Sequence, residues 1–247
     1  MDVQPDSGLP ASIEASWGRR TPPRKGPKPG LSIERIVGAA IVVADAEGLA
    51  AVSMSRVASE LGTSAMSLYR YVGAKDELIA LMVDAAIGTL SAPAAAEGWR
   101  DGLSRWAWDY LAALRRHPWV LRVPVGAPPV TPNLTAALED GLASLAGTGL
   151  SEPEKLSTML LLSGYVRNVA TVLDGIVEMA AAAGKAGRVM PSWGETLRRM
   201  TDPASFPALH AALGSGAFDQ DDGPDDEFVF GLARVLDGVE ALVVERS

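Results

Sequence analysis

Residues 55–78 read SRVASELGTSAMSLYRYVGAKDEL, and the fold turns on this stretch. Ser55 stands where it can cap a short helix, Arg56 to Leu61, with Val57, Ala58 and Leu61 inward. Gly62 breaks the chain. Ser64 caps a second short helix, Ala65 to Val72, with Leu68 and Val72 inward, and Gly73-Ala74 breaks it again. Helix, glycine turn, helix is the spacing of a helix-turn-helix. The second helix of such a unit enters the DNA major groove, so its outer face carries small and polar side chains. Here that face offers Thr63, Ser64, Met66, Ser67 and Arg70, with Tyr69 and Tyr71 at its edges. Hydroxyls and tyrosines there reach phosphates, and Arg70 reaches a guanine edge or a phosphate. Lys75 opens the next helix, beside free backbone N–H groups that favour phosphate. Ser55, on the first helix, joins the set of expected DNA contacts. The same outline also fits a small packing unit that binds no DNA.

Outward from this stretch the pattern stays helical. Upstream, Ser32 caps a helix whose Ile33, Ile36, Val37, Ala40, Ile41 and Ala44 form one apolar face, ended by Gly48. Downstream, a helix is expected from Lys75 to Leu90 and another from Trp99 to Arg116, stopped by His117-Pro118. Residues 124–132 hold four prolines and read as a loop, followed by a helix from Asn133 to Leu145. Ser151-Glu152-Pro153-Glu154 is a helix start, with a Ser cap, Pro in the first turn and acids at the positive end. The helix it opens is expected to reach Ala183 and is apolar on more than one face. A last helix, from near Pro224 to Val244, carries a broad apolar stripe. A monomer would struggle to cover both, and pairing in a homodimer is the economical solution. No strand and no internal repeat is evident, so the fold class is all-α: a three-helix head on a larger helical bundle.

Composition sets the bounds. The 247 residues are 48% hydrophobic with 6% aromatics and no cysteine, which removes disulfides, thiolate metal sites and a Cys nucleophile. The first thirty residues lack an apolar leader core, and the longest apolar run, Leu156 to Val166, is followed by Arg167. The expectation is a cytoplasmic protein with no membrane partner. The net charge of -8 disfavours nucleic acid until its distribution is read. Nine basic and four acidic residues lie between Trp17 and Lys75, against thirteen basic and twenty-three acidic from residue 76 on. A basic segment on an acidic body suits a protein that meets phosphates at one end. Residues 1–30, with Pro22, Pro23, Pro27, Pro29 and a basic run from Arg19 to Lys28, read as a flexible extension, either a solvated tail or an arm that adds phosphate contacts.

Residues 32–90 resemble the TetR family of repressors. The features are Val57-Ala58 with Glu60-Leu61-Gly62, then Leu68-Tyr69-Arg70-Tyr71-Val72, then Lys75-Asp76-Glu77-Leu78. Val72 and the Leu-Tyr-x-x-Val run are similar to the tetracycline-repressor branch, as is Leu114-Arg115-Arg116-His117-Pro118-Trp119 to its all-α C-terminal domain. The resemblance implies base and phosphate contacts for Thr63, Ser64, Met66, Ser67, Tyr69, Arg70, Tyr71 and Lys75. It departs at Ala74, where the family usually has a capping Ser or Asn. It also implies a body that dimerises and holds an effector. Expected pocket residues are Trp106, Tyr110, Trp119, Leu162, Tyr165, Val166, Asn168 and Trp193, with Ser163 as a further polar group.

Other constellations yield little. His117 and His210, the only histidines, have no second ligand at helical spacing, and no metal or other cofactor is expected. Asp219 to Glu227 fails the calcium-loop pattern, since Gly223 falls one place early. No nucleophilic set or phosphate-binding glycine loop appears, so no enzyme is expected. The combined expectation is a repressor with an extension at 1–30, a DNA-binding domain at 31–78 and a ligand-binding and dimerisation domain at 79–247. It grips double-stranded, palindromic operator DNA as a homodimer and is released by a small, apolar or aromatic effector. The alternative is a helical small-molecule sensor whose DNA head is vestigial.

Overall fold

A computed structural model of the chain describes residues 8–18, 30–91, 97–126, 130–182, 189–218, 223 and 225–246. Among the described residues the regular structure is entirely helical. The basic run from Arg19 to Lys28 and residues 219–222 of the acidic loop lie outside them.

The head begins where two serines stop the chain from being extended. Ser32 accepts the Arg35 N–H at 3.3 Å and opens α2 (Ile33–Glu47). Ser53, not Ser55, accepts the Arg56 N–H at 3.1 Å and opens α3 (Met54–Glu60). The helix starts two residues earlier than its sequence suggests because Met54 is buried and belongs to its inner face. A 3-10 turn, Leu49–Ala51, joins α2 to α3. Gly62, at φ 63°, makes the sharp turn into α4 (Ala65–Tyr69), a conformation that any side chain with a Cβ would strain. Helix α4 ends three residues sooner than expected. The Tyr71 and Val72 N–H groups both turn back onto the Leu68 carbonyl, and this tightening aims Val72 into the core. Then α5 (Lys75–Ile87) leaves the head along α2. The Ala74 position has no side-chain cap, and Glu77 instead reaches back to accept the Gly73 N–H at 3.1 Å.

The body is built on α6 (Trp99–Arg116), which packs on α7 (Pro132–Ser144) and α8 (Glu152–Ala182), while α11 (Asp226–Arg246) lies against α8 and α6. Leu103, Leu111, Leu114, Leu162, Val166 and Phe228 are fully buried at the centre. The predicted start of α8 is present: Glu154 accepts both the N–H and the hydroxyl of Ser151 at 2.8 Å.

Three elements depart from expectation. The N-terminal extension is not wholly irregular, since α1 (Ala11–Ser16) follows Pro10, buries Ile13 and packs on α5. Helices α9 (Val189–Met200) and α10 (Pro207–Gly214) occupy a stretch to which the sequence reading assigns no element. Each carries a proline within its first turn, where the missing N–H costs nothing. Helix α8 also corrects the reading of apolar length, because Glu152–Met179 is long and apolar enough to cross a membrane by length and composition. Arg167, within it, donates to the carbonyls of Val120, Leu121 and Val123 of the 3-10 turn Pro118–Arg122 and its exit.

Candidate nucleic-acid interface

The head presents one polar face. Met66 is 74% exposed at the middle of α4, and Tyr69, Arg70 and Lys75 are exposed beside it. Ser64, though placed as the N-cap, makes no cap hydrogen bond; its hydroxyl lies 2.9 Å from that of Ser67. Both hydroxyls therefore sit on the outer surface. Thr63 and Tyr71 are half-buried, and Tyr71 packs against the core, so they flank the face. Ser55 is exposed in the first turn of α3. Leu68 and Val72 are fully buried behind α4, which fixes the outward direction of Met66 and Tyr69. Arg56 contributes no free charge. It is clamped by Glu47 at 2.6 Å and Glu60 at 2.9 Å, and their hydrogen bonds, Glu47 first, push its guanidinium above the ordinary range.

Two side-chain links missing from the sequence reading tie α2 and α5 to the rest of the body. Asp45, near the end of α2, faces His117 Nδ1 at 2.9 Å and accepts the Trp119 indole N–H at 2.7 Å. Asp84 of α5 is buried, and it accepts the Leu134 N–H and the Asn133 side-chain N–H, each at 3.0 Å. It is thus the N-terminal cap of α7 delivered from another helix; the hydroxyl of Thr131, the chain's own cap position, is buried without a partner. A lone aspartate on the inner face of an apolar helix is the sequence signal that could have marked Asp84.

The expected pocket residues are spread over several parts of the body. Trp106 is buried, donates its indole N–H to the Ala137 carbonyl at 2.7 Å and touches Tyr110 at 5.2 Å between ring centres. Leu162 and Val166 are fully buried on α8. Tyr165 stacks on Phe228 and donates to the carbonyls of Glu227 and Phe228, where α11 begins; burial comes first among the influences raising its phenol. A Cβ at Gly231 would collide with the same phenol, so the glycine is what lets α11 approach α8 there. Ser163 hydrogen-bonds its own helix at Leu160, and Asn168 is exposed. Trp193, half-exposed on α9, meets Phe218 edge-on at 5.1 Å. An open cleft of about 540 Å³ lies elsewhere, lined by Glu97, Trp99, Gly102, Ser144, Thr148 and Val243 among others. His210 bonds to Thr201 between α9 and α10, and no three potential metal ligands gather among the described residues.

A three-helix head with an outward hydroxyl, methionine, tyrosine and cation face, carried on a helical body, defines a helix-turn-helix transcriptional regulator. The comparisons take this to a family. Residues 36–82 match the model of bacterial regulatory proteins of the tetR family, and residues 92–243 match that of the tetracyclin repressor-like C-terminal domain. The chain is 38% identical over 249 aligned positions to the HTH-type transcriptional repressor DrrR1 of Streptomyces coeruleorubidus, covering 95% of this chain and 87% of that protein. Apo ActR from Streptomyces coelicolor superposes with a TM-score of 0.73 at 27% identity, covering 90% of this chain and all of that one. ActR in complex with actinorhodin gives 0.68 at 28%, covering 86% and 98%. The chain belongs to the TetR family, and it is a transcriptional repressor of that family.

Proposed function

We propose that this repressor binds a palindromic operator as a homodimer in the cytoplasm and lets go when a small, apolar or aromatic effector enters its body. The observation that carries the DNA half is the exposed set Ser64, Met66, Tyr69, Arg70 and Lys75 with half-buried Ser67 among them, backed by buried Leu68 and Val72. Thr63 and Tyr71 act at its edges and Ser55 at its near rim. Residues 31–78 form the DNA-binding domain and 79–247 the body.

The homodimer is supported by apolar surface left uncovered. On α8, Leu156, Leu160, Leu161, Val172, Val177 and Met179 are at least half exposed, and on α11 so are Val229, Phe230 and Val244. Two such stripes are more than a monomer leaves in water, and a two-fold bundle covers both. Paired heads then lie about 34–36 Å apart, on successive major grooves.

The effector half is supported by the ligand-bound ActR relative and by the aromatic side chains of the body. The proposed contacts are Trp106, Tyr110, Trp119, Tyr165, Asn168 and Trp193, over a floor of Leu162 and Val166. Because several of these are packed in this structure, ligand entry must part side chains that now touch.

The test is fluorescence anisotropy with labelled DNA flanking the protein's own gene, over a range of salt. Tight binding that survives excess random DNA is expected. Tyr69→Phe and Lys75→Ala should both weaken binding to every sequence, and Lys75→Ala, which removes a charge, should also lower the salt slope by about one. Arg70→Ala should cost about 1–3 kcal/mol on the operator if it reads a base. Binding that random DNA competes away refutes the operator reading.

A further inference from the structure

We infer that α1 is a strap that ties the exit of the recognition helix to the effector body. Helix α1 lies outside both segments that the family models match, 36–82 and 92–243. It is nonetheless built into the fold at three points.

At its start, the Ser12 hydroxyl, 2% exposed, donates to Glu77 Oε2 at 2.5 Å. That same oxygen accepts the Gly73 N–H, four residues past the end of α4. Ser12 therefore grips the corner where the chain leaves the recognition helix. At its middle, Ile13 is 3% exposed and belongs to the main core, on α5. Just past its end, the Trp17 indole donates to the Val130 carbonyl at 2.9 Å, one residue before the N-cap of α7.

These attachments bracket α5. Its own two anchors, Glu77 at the head and Asp84 at α7, are seven residues apart, roughly 10 Å of helix. Ser12 and Trp17 are five residues apart, roughly 8 Å of helix, and reach the Glu77 corner and the residue before the N-cap of α7. Tilting α5 against α7 while α1 stays docked therefore breaks either the Ser12–Glu77 or the Trp17–Val130 bond. The strap restrains the angle between head and body. In a dimer on a palindrome both heads must match one spacing, so a looser angle leaves a smaller fraction of molecules competent to bind.

Hydrogen exchange on the full-length protein tests the strap without DNA. In Ile13→Asp, Gly73–Leu78 and Thr131–Thr135 should both exchange at least about threefold faster than in the wild type. Ser12→Ala should speed the first segment alone and Trp17→Phe the second alone. Those two mild variants carry the test if Ile13→Asp exchanges faster throughout. Acceleration confined to residues 8–18 in all three overturns the inference.

A second arm rests on the operator-binding reading above. With a duplex selected by the wild type, Trp17→Phe should raise Kd about fivefold with an unchanged salt slope, since no phosphate contact is lost. Equal or tighter binding overturns the strap's effect on DNA. Failure of the wild type to select any duplex counts against the operator reading instead, and the exchange result then decides the strap.

Discussion

Replacing Asp84 with alanine removes the one carboxylate that closes the first turn of α7. The wild-type group is 6% exposed and accepts from Leu134 N at 3.0 Å and from Asn133 Nδ2 at 3.0 Å. Alanine leaves the Leu134 N–H without its acceptor, next to a Thr131 hydroxyl already lacking a partner. Loss of a helix cap costs about 0.5–2 kcal/mol, and loss of a charge-assisted bond about 1.5–3 kcal/mol. The two descriptions overlap, so about 2–3 kcal/mol is expected, a fall in Tm of roughly 4–12 °C for a chain of this size. Asp84→Asn should cost less, about 1 kcal/mol. Its amide oxygen keeps the Leu134 N–H, and the Asn133 amide turns to offer its own oxygen to the new donor. Thermal unfolding at one fixed protein concentration separates the variants, because the proposed dimer would make Tm depend on concentration. A drop of under about 0.5 kcal/mol for alanine, or equal drops for alanine and asparagine, would refute the carboxylate's role as the α7 cap.

Leu160→Glu with Val172→Glu places charge on the exposed α8 stripe and should yield monomers by sedimentation velocity with helix content retained; an unchanged dimer moves the interface elsewhere. Asp45→Ala leaves the Trp119 indole N–H buried and unpaired, and should cost about 1–3 kcal/mol in urea unfolding; a variant as stable as wild type shows that water takes the aspartate's place. Glu154 is held down to about 2, from an ordinary 4.5, by the Ser151 N–H first and then by the Ser151 hydroxyl and Arg246. A depressed carboxylate stabilises the fold above its unfolded pKa and loses that contribution as pH falls through its folded one. The stability gap between wild type and Glu154→Gln should therefore be full above about pH 4.5 and close towards pH 2. A gap that stays constant over this window would remove the role of ionisation.

The head is readable in the sequence because its signals are local. Gly62 and buried Leu68 and Val72 fix the turn and the outward face of α4 within ten residues. The start of α8 is equally local, as Ser151 and Glu154 are three apart. The joints between head and body are not. Asp45 meets His117 and Trp119, 72 and 74 residues away, and Ser12 meets Glu77 across 65. No periodicity reports such pairs. The effector contacts are obscure for a different reason. A tryptophan such as Trp106 that fills a core and one that lines a pocket have the same composition and spacing, and only packing separates them.

The positions of these joints constrain where an effector must act. Asp45 is received by His117 and Trp119, at the start of the connection from α6 to α7. Asp84 and Trp17 are received by Leu134 and Val130, at its other end. The Asp45 and Trp17 attachments therefore end on this connection and that of Asp84 on the first turn of α7 just beyond it, while Arg167 of α8 holds the first part of the connection through three carbonyls. A ligand that leaves both this connection and the packing of α5 on α6 and α7 in place has no differential contact with which to move the head. One that parts α8 from the Pro118–Arg122 turn displaces the Asp45 acceptor site directly and strains Asp84 and Trp17 through the same chain. About 3 kcal/mol of such differential binding per subunit lowers operator occupancy more than a hundredfold, which is within reach of an effector that exchanges the Arg167 carbonyl contacts for its own.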